Sequence, residues 1–86
     1  MKINNKYELK KVLDNYVLID NSKNSNYIMK INEVSKRIFE CINEKKNKEE
    51  IVEILLNEDD VNKEQLLKDI DDFINESISK GIIIND

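Results

Sequence analysis

The sequence predicts an α+β fold in which short strands precede three helices in the order β-β-β-α-α-α, an order compatible with a winged helix-turn-helix whose wing comes first. Three observations predict it. Aromatic and β-branched runs occupy the front of the chain, three capped segments with helical apolar spacing follow, and the one glycine, Gly81, stands just past the last of them. The 86 residues are read as a single domain over 1–86, large enough to bury roughly 60 to 65 per cent of its unfolded surface. Hydrophobic residues at 40% beside charged residues at 37%, with no proline, suit a compact helix-rich domain and not a disordered tail.

Tyr7 to Val12 alternates loosely and carries charge, which predicts an edge strand turning near Asp14-Asn15. Tyr16-Val17-Leu18-Ile19 is a compact β-type run. Asn21-Ser22-Lys23-Asn24-Ser25-Asn26 has side chains that bond their own backbone, so it reads as the loop of a hairpin leading into Tyr27 to Ile31. Period-two geometry puts Tyr27, Met29 and Ile31 on one face of that strand, and Ile28 with Lys30 on the other.

Asn32 caps a first helix whose stripe is Val34, Ile38, Cys41 and Ile42, widened by Phe39, and which fades near Lys45. Asn47 with Glu50 forms a capping box for a second helix. Its apolar residues Ile51, Val52, Ile54, Leu55 and Leu56 cover most of the circumference and predict a central, well-buried element. Asn62 caps the third helix, with Gln65 at the reciprocal position and Val61 able to staple against Leu66. Leu66, Leu67, Ile70, Phe73, Ile74 and Ile78 keep the 3.6 period. Gly81 then supplies a left-handed C-terminal cap, and Ile82-Ile83-Ile84 packs back or adds a short extended piece.

Several chemistries are excluded. With no histidine, neither a Ser-His nor a Cys-His nucleophilic system can be assembled, and the common zinc spacings are missing, so neither catalytic nor metal-ligating residues are assigned. Cys41 lies on the apolar stripe of the first helix, where a small buried residue is expected, and it cannot make an internal disulfide. Glu58-Asp59-Asp60 with Asn62 and Glu64 lacks the central glycine of a calcium loop and runs into a capped helix. Asp71 and Asp72 point about 100° apart on a helix and cannot act as one acid-base dyad. Tyr7, Tyr16 and Tyr27 are not set in a basic groove, and no glycine-rich phosphate loop exists, so neither a nucleic-acid platform nor a nucleotide cofactor is expected. A net charge of −4 also argues against a polyanionic partner. The polar start Met1 to Lys6 is no signal peptide, and no apolar run approaches the roughly 20 residues that cross a bilayer. A cytoplasmic protein with no membrane partner is expected.

With these elements in place, the chain resembles the PqqD-like family, recognition elements that bind the leaders of ribosomally synthesised and post-translationally modified peptides (RiPPs). The resemblance runs from about Tyr16 to Ile82. It rests on Tyr16-Val17-Leu18-Ile19-Asp20 before a polar loop, Tyr27 to Ile31 leading into Asn32-Glu33, Lys48-Glu49-Glu50-Ile51-Val52, and Ser79-Lys80-Gly81-Ile82. These patterns are of moderate specificity. One departure is the turn Glu44-Lys45-Lys46-Asn47, often glycine-containing in such proteins, which must turn without glycine or use Asn47.

The resemblance implies a winged helix-turn-helix-like fold, a three-stranded antiparallel sheet followed by and packed on three helices. It also implies a leader peptide that adds as a fourth strand beside the third strand and packs against the third helix, here Tyr27 to Ile31 and Lys63 to Lys80. Candidate peptide-binding residues are therefore Tyr27, Ile28, Met29, Lys30 and Ile31 on the strand, and Leu67, Ile70, Asp71 and Ile74 on the helix. Asp71 and Asp72 are candidates for basic leader residues. The implied function is that of a non-catalytic adaptor, or peptide chaperone, without a cofactor. It presents a precursor to a modifying enzyme such as a radical SAM maturase, a cyclodehydratase or a lasso-type peptidase.

Two other readings compete. A winged-helix DNA-binding regulator has the same helix order, but Glu64, Asp69, Asp71, Asp72 and Glu76 outnumber Lys63, Lys68 and Lys80 on the third helix, which phosphates would repel. A structural docking subunit without a peptide ligand would instead have Tyr27 to Ile31 paired with its own Ile82 to Ile84.

Overall fold

The computed structural model describes residues 1–22, 27–58 and 60–85, with backbone alone at Tyr27 and Ile28. Its elements are β1 (Lys2–Ile3), β2 (Tyr7–Val12), β3 (Asn15–Asp20), β4 (Tyr27–Ile31), α1 (Glu33–Asn43), α2 (Lys48–Glu58), α3 (Lys63–Ser79) and β5 (Ile83–Ile84). The expected three-stranded antiparallel sheet followed by three helices is present, in the order β2-β3-β4. Of the expected Asn21 to Asn26 loop, residues 23–26 lie outside the described residues, as does Asp59 of the acidic group.

The strands form where alternation lets one face reach the core. Leu18 is buried on the inner face, and Tyr7, Leu9, Met29 and Ile31 pack against the same cluster. On the outer face Val17 lies between Lys10 and Lys30 in register and is 7% exposed, consistent with lysine stems covering it. Asp20 is buried too, its carboxylate accepting the Ser22 backbone N–H at 2.9 Å where β3 ends.

Each helix starts at the expected cap. Asn32 Oδ1 accepts the Ser35 N–H at 2.8 Å, and Asn62 Oδ1 accepts the Gln65 N–H at 3.1 Å. Asn47 and Glu50 exchange bonds of 2.8 and 3.0 Å as a full capping box. Gln65 differs from expectation, since its amide donates to Asp69 one turn on and leaves the reciprocal half of its box unmade. Val61 and Leu66 line one small hollow, with Val61 still 41% exposed.

Two helices end in left-handed residues. At α3, Gly81 has φ +79°, Ile82 N–H reaches the Ser77 carbonyl at 2.8 Å and Gly81 N–H reaches Ile78 at 3.1 Å, a Schellman closure. At α1 the same pattern uses Lys45 at φ +66°, with Lys46 N–H on the Cys41 carbonyl at 3.0 Å. Lys45, and not Asn47, therefore makes the glycine-free turn.

The core comprises Ile38, Phe39, Cys41 and Ile42 from α1, Ile51 and Leu55 from α2, Leu66, Ile70, Phe73 and Ile74 from α3, and Ile82 and Ile83. The expectation of a central α2 is corrected: only Ile51 and Leu55, one turn apart, are buried. Apolar residues all round a helix do not bury it when one side alone meets α1 and α3. Cys41 is fully buried, and that burial pushes its thiol pKa up, as expected of a packing residue.

Ile83–Ile84 pairs antiparallel with Lys2–Ile3, so the C-terminal segment is committed to β1 and not to β4. Asn4 fastens this junction, its N–H donating to the Ile82 carbonyl at 2.8 Å and its side-chain amide to the Gly81 carbonyl at 2.9 Å. The end of α3 is thereby held against the start of the sheet.

Candidate functional site

Register decides which backbone groups of the sheet are free. The β2–β3 hairpin turns through Leu13-Asp14, so Val12 and Asn15 close it as a hydrogen-bonded pair and the pairs alternate from there. The Asn21 N–H on the Lys6 carbonyl at 2.9 Å obeys the same alternation. Asn15, Val17 and Ile19 therefore face their backbone groups to β2. Tyr16, Leu18 and Asp20 face theirs to Ile31, Met29 and Tyr27 of β4. The N–H and C=O groups left on the outer edge of β4 are those of Ile28 and Lys30, and β4 pairs with β3 alone among the described strands.

Beside that edge runs a groove of about 160 Å³. Met29 and Ile31 form its strand wall, Phe73, Glu76, Ser77 and Lys80 its helical wall, and Ile82, Asn32 and Ser35 complete it. It adjoins a more polar hollow of about 190 Å³, where Asp69 and Asp72 join Asn32, Ser35, Phe73 and Glu76. Lys80 spans the mouth: its Nζ donates to Glu76 Oε1 at 2.8 Å and lies 3.5 Å from Met29 Sδ.

Of the strand residues expected at a site, Met29, Lys30 and Ile31 line the groove. Tyr27 and Ile28 have their backbone in β4, while their side chains lie outside the described residues. The helical candidates are placed elsewhere. Ile70 is fully buried and Ile74 is 9% exposed within the core, Leu67 is half-buried, and Asp71 forms an ion pair with Lys48 of α2. None of these four lines either hollow. Asp71 and Asp72 do point apart, and of the two Asp72 faces the groove side.

The stripe Asp69, Asp72, Phe73, Glu76, Ser77 and Lys80 follows helical spacing along one side of α3, and of these the sequence pointed to Asp72 alone as a peptide contact. The one sequence signal was that this strip adjoins the apolar stripe at Phe73; the burial of Ser77, 2% exposed, emerges only in the fold. Charge also changes across the groove. Up to Asn32 the chain has six lysines against three acids, and from Glu33 onward eight cations against fifteen acids, so the groove lies on the seam of a dipolar molecule.

Free backbone donors and acceptors beside an alternating apolar and charged wall can hold an extended chain segment. Residues 15–83 match the family described as coenzyme PQQ synthesis protein D, PqqD. No curated protein matches the chain. Among solved structures, the fold is similar to that of TbiB1 in complex with the TbiA(beta) leader peptide, with a TM-score of 0.79 and 25% identity over 100% of both chains.

Proposed function

Because the chain belongs to the PqqD family, we propose that it is a RiPP recognition element, a non-catalytic adaptor that binds a precursor's leader peptide by strand addition. The leader lies along β4, exchanging backbone hydrogen bonds with Ile28 and Lys30, and sets alternate side chains into the groove against α3. The single observation that carries this reading is the outer edge of β4, unpaired among the described residues, beside that groove. The similarity to TbiB1, which was captured with a leader peptide, supports the ligand class.

On this reading Tyr27 to Ile31 are the strand contacts, Phe73, Glu76 and Lys80 the first helical contacts, and Asp72 the acid that meets a basic leader residue. Ile70 and Ile74 hold α3 in place behind the groove, Leu67 is half-buried away from it, and Asp71 ties α3 to α2 through Lys48. The adaptor acts in the cytoplasm as one domain and hands the bound precursor to a separate modifying enzyme, whether a radical SAM maturase, a cyclodehydratase or a lasso-type peptidase. No helix of the described residues is long and apolar enough to cross a membrane.

The docking-subunit reading required the edge to be filled by the chain's own terminus, and β5 is paired with β1 instead. The DNA reading is weakened by Asp69, Asp72 and Glu76, which line one side of α3. The test is calorimetric titration of the protein with the leader segment of the precursor encoded beside it. Saturable one-to-one binding is expected; no heat with any neighbouring precursor leader would sink the proposal.

A further inference from the structure

The opposite edge of the sheet, that of β2, also has no strand beside it among the described residues. By the alternation derived above, β2 turns the backbone groups of Leu9 and Lys11 outward, whereas the Tyr7 N–H is already taken by the Asn4 carbonyl at 3.0 Å. Next to this edge lies a hollow of about 610 Å³ between β2 and α1, floored by Ile3, Leu9 and Phe39 and rimmed by Glu40 and Glu44. Glu44 has no ion pair among the described residues, while Glu40 is held by Lys36 at 3.1 Å.

We infer that this edge takes the β2 strand of a second copy of the chain, antiparallel and in one register. Outward-facing residues must oppose outward-facing residues, which restricts the two-fold arrangements centred within the strand. Centring on Glu8 puts two glutamates opposite each other, and centring on Lys10 puts two lysines opposite each other. Centring on Leu9 pairs Glu8 with Lys10 of the second copy twice over and stacks Leu9 on its own image. Like charges disfavour the first two registers, as they do one centred on Lys11, and centring on Tyr7 would need the N–H already given to the Asn4 carbonyl, so of the centres from Tyr7 to Lys11 only Leu9 is left.

The same register gives Lys11 a place. A lysine pointing inward on an edge strand ordinarily discourages indiscriminate pairing. Here it opposes Tyr7 of the other copy, at the end of the hollow that carries Glu44, so a cation from each copy enters the acidic rim of the other. The result is a six-stranded sheet with the two β4 edges at its far ends, where both leader grooves stay accessible. A five-residue contact of this kind is weak and salt-sensitive.

Sedimentation equilibrium of the full chain, from about 10 µM to about 1 mM in low salt, tests this directly. The weight-average mass should climb from 10.2 kDa toward twice that value. Lys10→Glu, which sets Glu8 against a glutamate, should weaken association at least tenfold, and Glu8→Lys with Lys10→Glu together should restore it. A monomer throughout the range, which would leave the edge to a foreign strand, overturns the proposal. So does a Lys10→Glu variant that associates as well as the parent. Leader titration is expected to be unchanged in both variants, so failure here leaves the leader reading standing.

Discussion

Along its outer edge β4 presents the backbone groups of Ile28 and Lys30 beside a narrow groove of about 160 Å³ walled by α3. Along the opposite edge β2 presents those of Leu9 and Lys11 beside a hollow of about 610 Å³ walled by α1. Both edges offer the same backbone chemistry, so unpaired donors alone cannot decide what each accepts. Side chains and the neighbouring helix do that. β4 combines one exposed lysine with an apolar wall of Met29, Ile31 and Phe73, which suits a foreign strand carrying apolar residues. β2 alternates a glutamate, a leucine and two lysines, which deters most strands and fits its own copy.

The most drastic way to break this comparison is to disrupt the shared core that holds both edges in place. Ile70 is wholly buried at the centre of α3, and Ile70→Asp places an unpaired carboxylate there at a cost of about 4 kcal/mol or more. A domain of this size should then lose its cooperative thermal transition in circular dichroism, and leader binding with it.

A sharper pair exchanges the edges. Lys30→Pro removes an outward N–H from β4 and should weaken leader binding roughly 10- to 100-fold in calorimetry. Lys11→Pro removes the equivalent donor from β2 and should leave that affinity within about twofold, because edge strands tolerate proline where no ladder bond is lost. Equal losses from both would mean that the two edges are not distinguished. Met29→Pro is the wrong probe, since the Met29 N–H bonds toward β3 and its loss would damage the sheet itself.

The outcome could be foreseen where structure is set locally. Asn32, the Asn47-Glu50 pair and Asn62 mark helix starts because a cap needs only a side-chain acceptor and a few residues of backbone, and all of them cap as expected. Gly81 marked the end of α3 for the same reason. Lys45 was not legible in that role, since a lysine at positive φ is imposed by the packing of α1 against α2 and has no local sign. The short extended piece at Ile83–Ile84 was foreseen, but its pairing with Lys2–Ile3 was illegible because two-residue strands pair only when the chain ends are brought together. Hydrophobic period identified the core stripe of α3, but a binding wall on a helix is the strip next to that stripe; Asp72 was singled out with Asp71 by its charge, whereas Glu76 and Lys80 look like ordinary surface until β4 is placed opposite them.

Smaller effects separate stability from the edges. Leu13 at the tip of the β2 hairpin has φ +57° and is 87% exposed, and Lys45 has φ +66°. Glycine at either position should raise stability by up to about 1 kcal/mol, read as an increased urea midpoint, without altering leader affinity.

Smallest is the Arg37–Glu58 pair between α1 and α2, with hydrogen bonds of 2.7 and 2.8 Å. Hydrogen bonding to Arg37 holds the Glu58 carboxyl below its usual pKa. The pair therefore adds stability above the ordinary glutamate value and loses it as pH falls through the lowered one. With Glu58 39% exposed, solvent screening limits this to less than about 1 kcal/mol. Urea melts of Glu58→Gln against the parent should differ at neutral pH and converge in acid.

The central claim is that the free backbone of β4, and not that of β2, receives the leader. Hydrogen exchange of individual amides, followed by NMR with and without saturating leader at dilute protein, addresses it directly. The N–H groups of Ile28 and Lys30 should become strongly protected while those of Leu9 and Lys11 keep their rates. Protection at Leu9 and Lys11, with Ile28 and Lys30 still exchanging freely in the complex, would contradict the account.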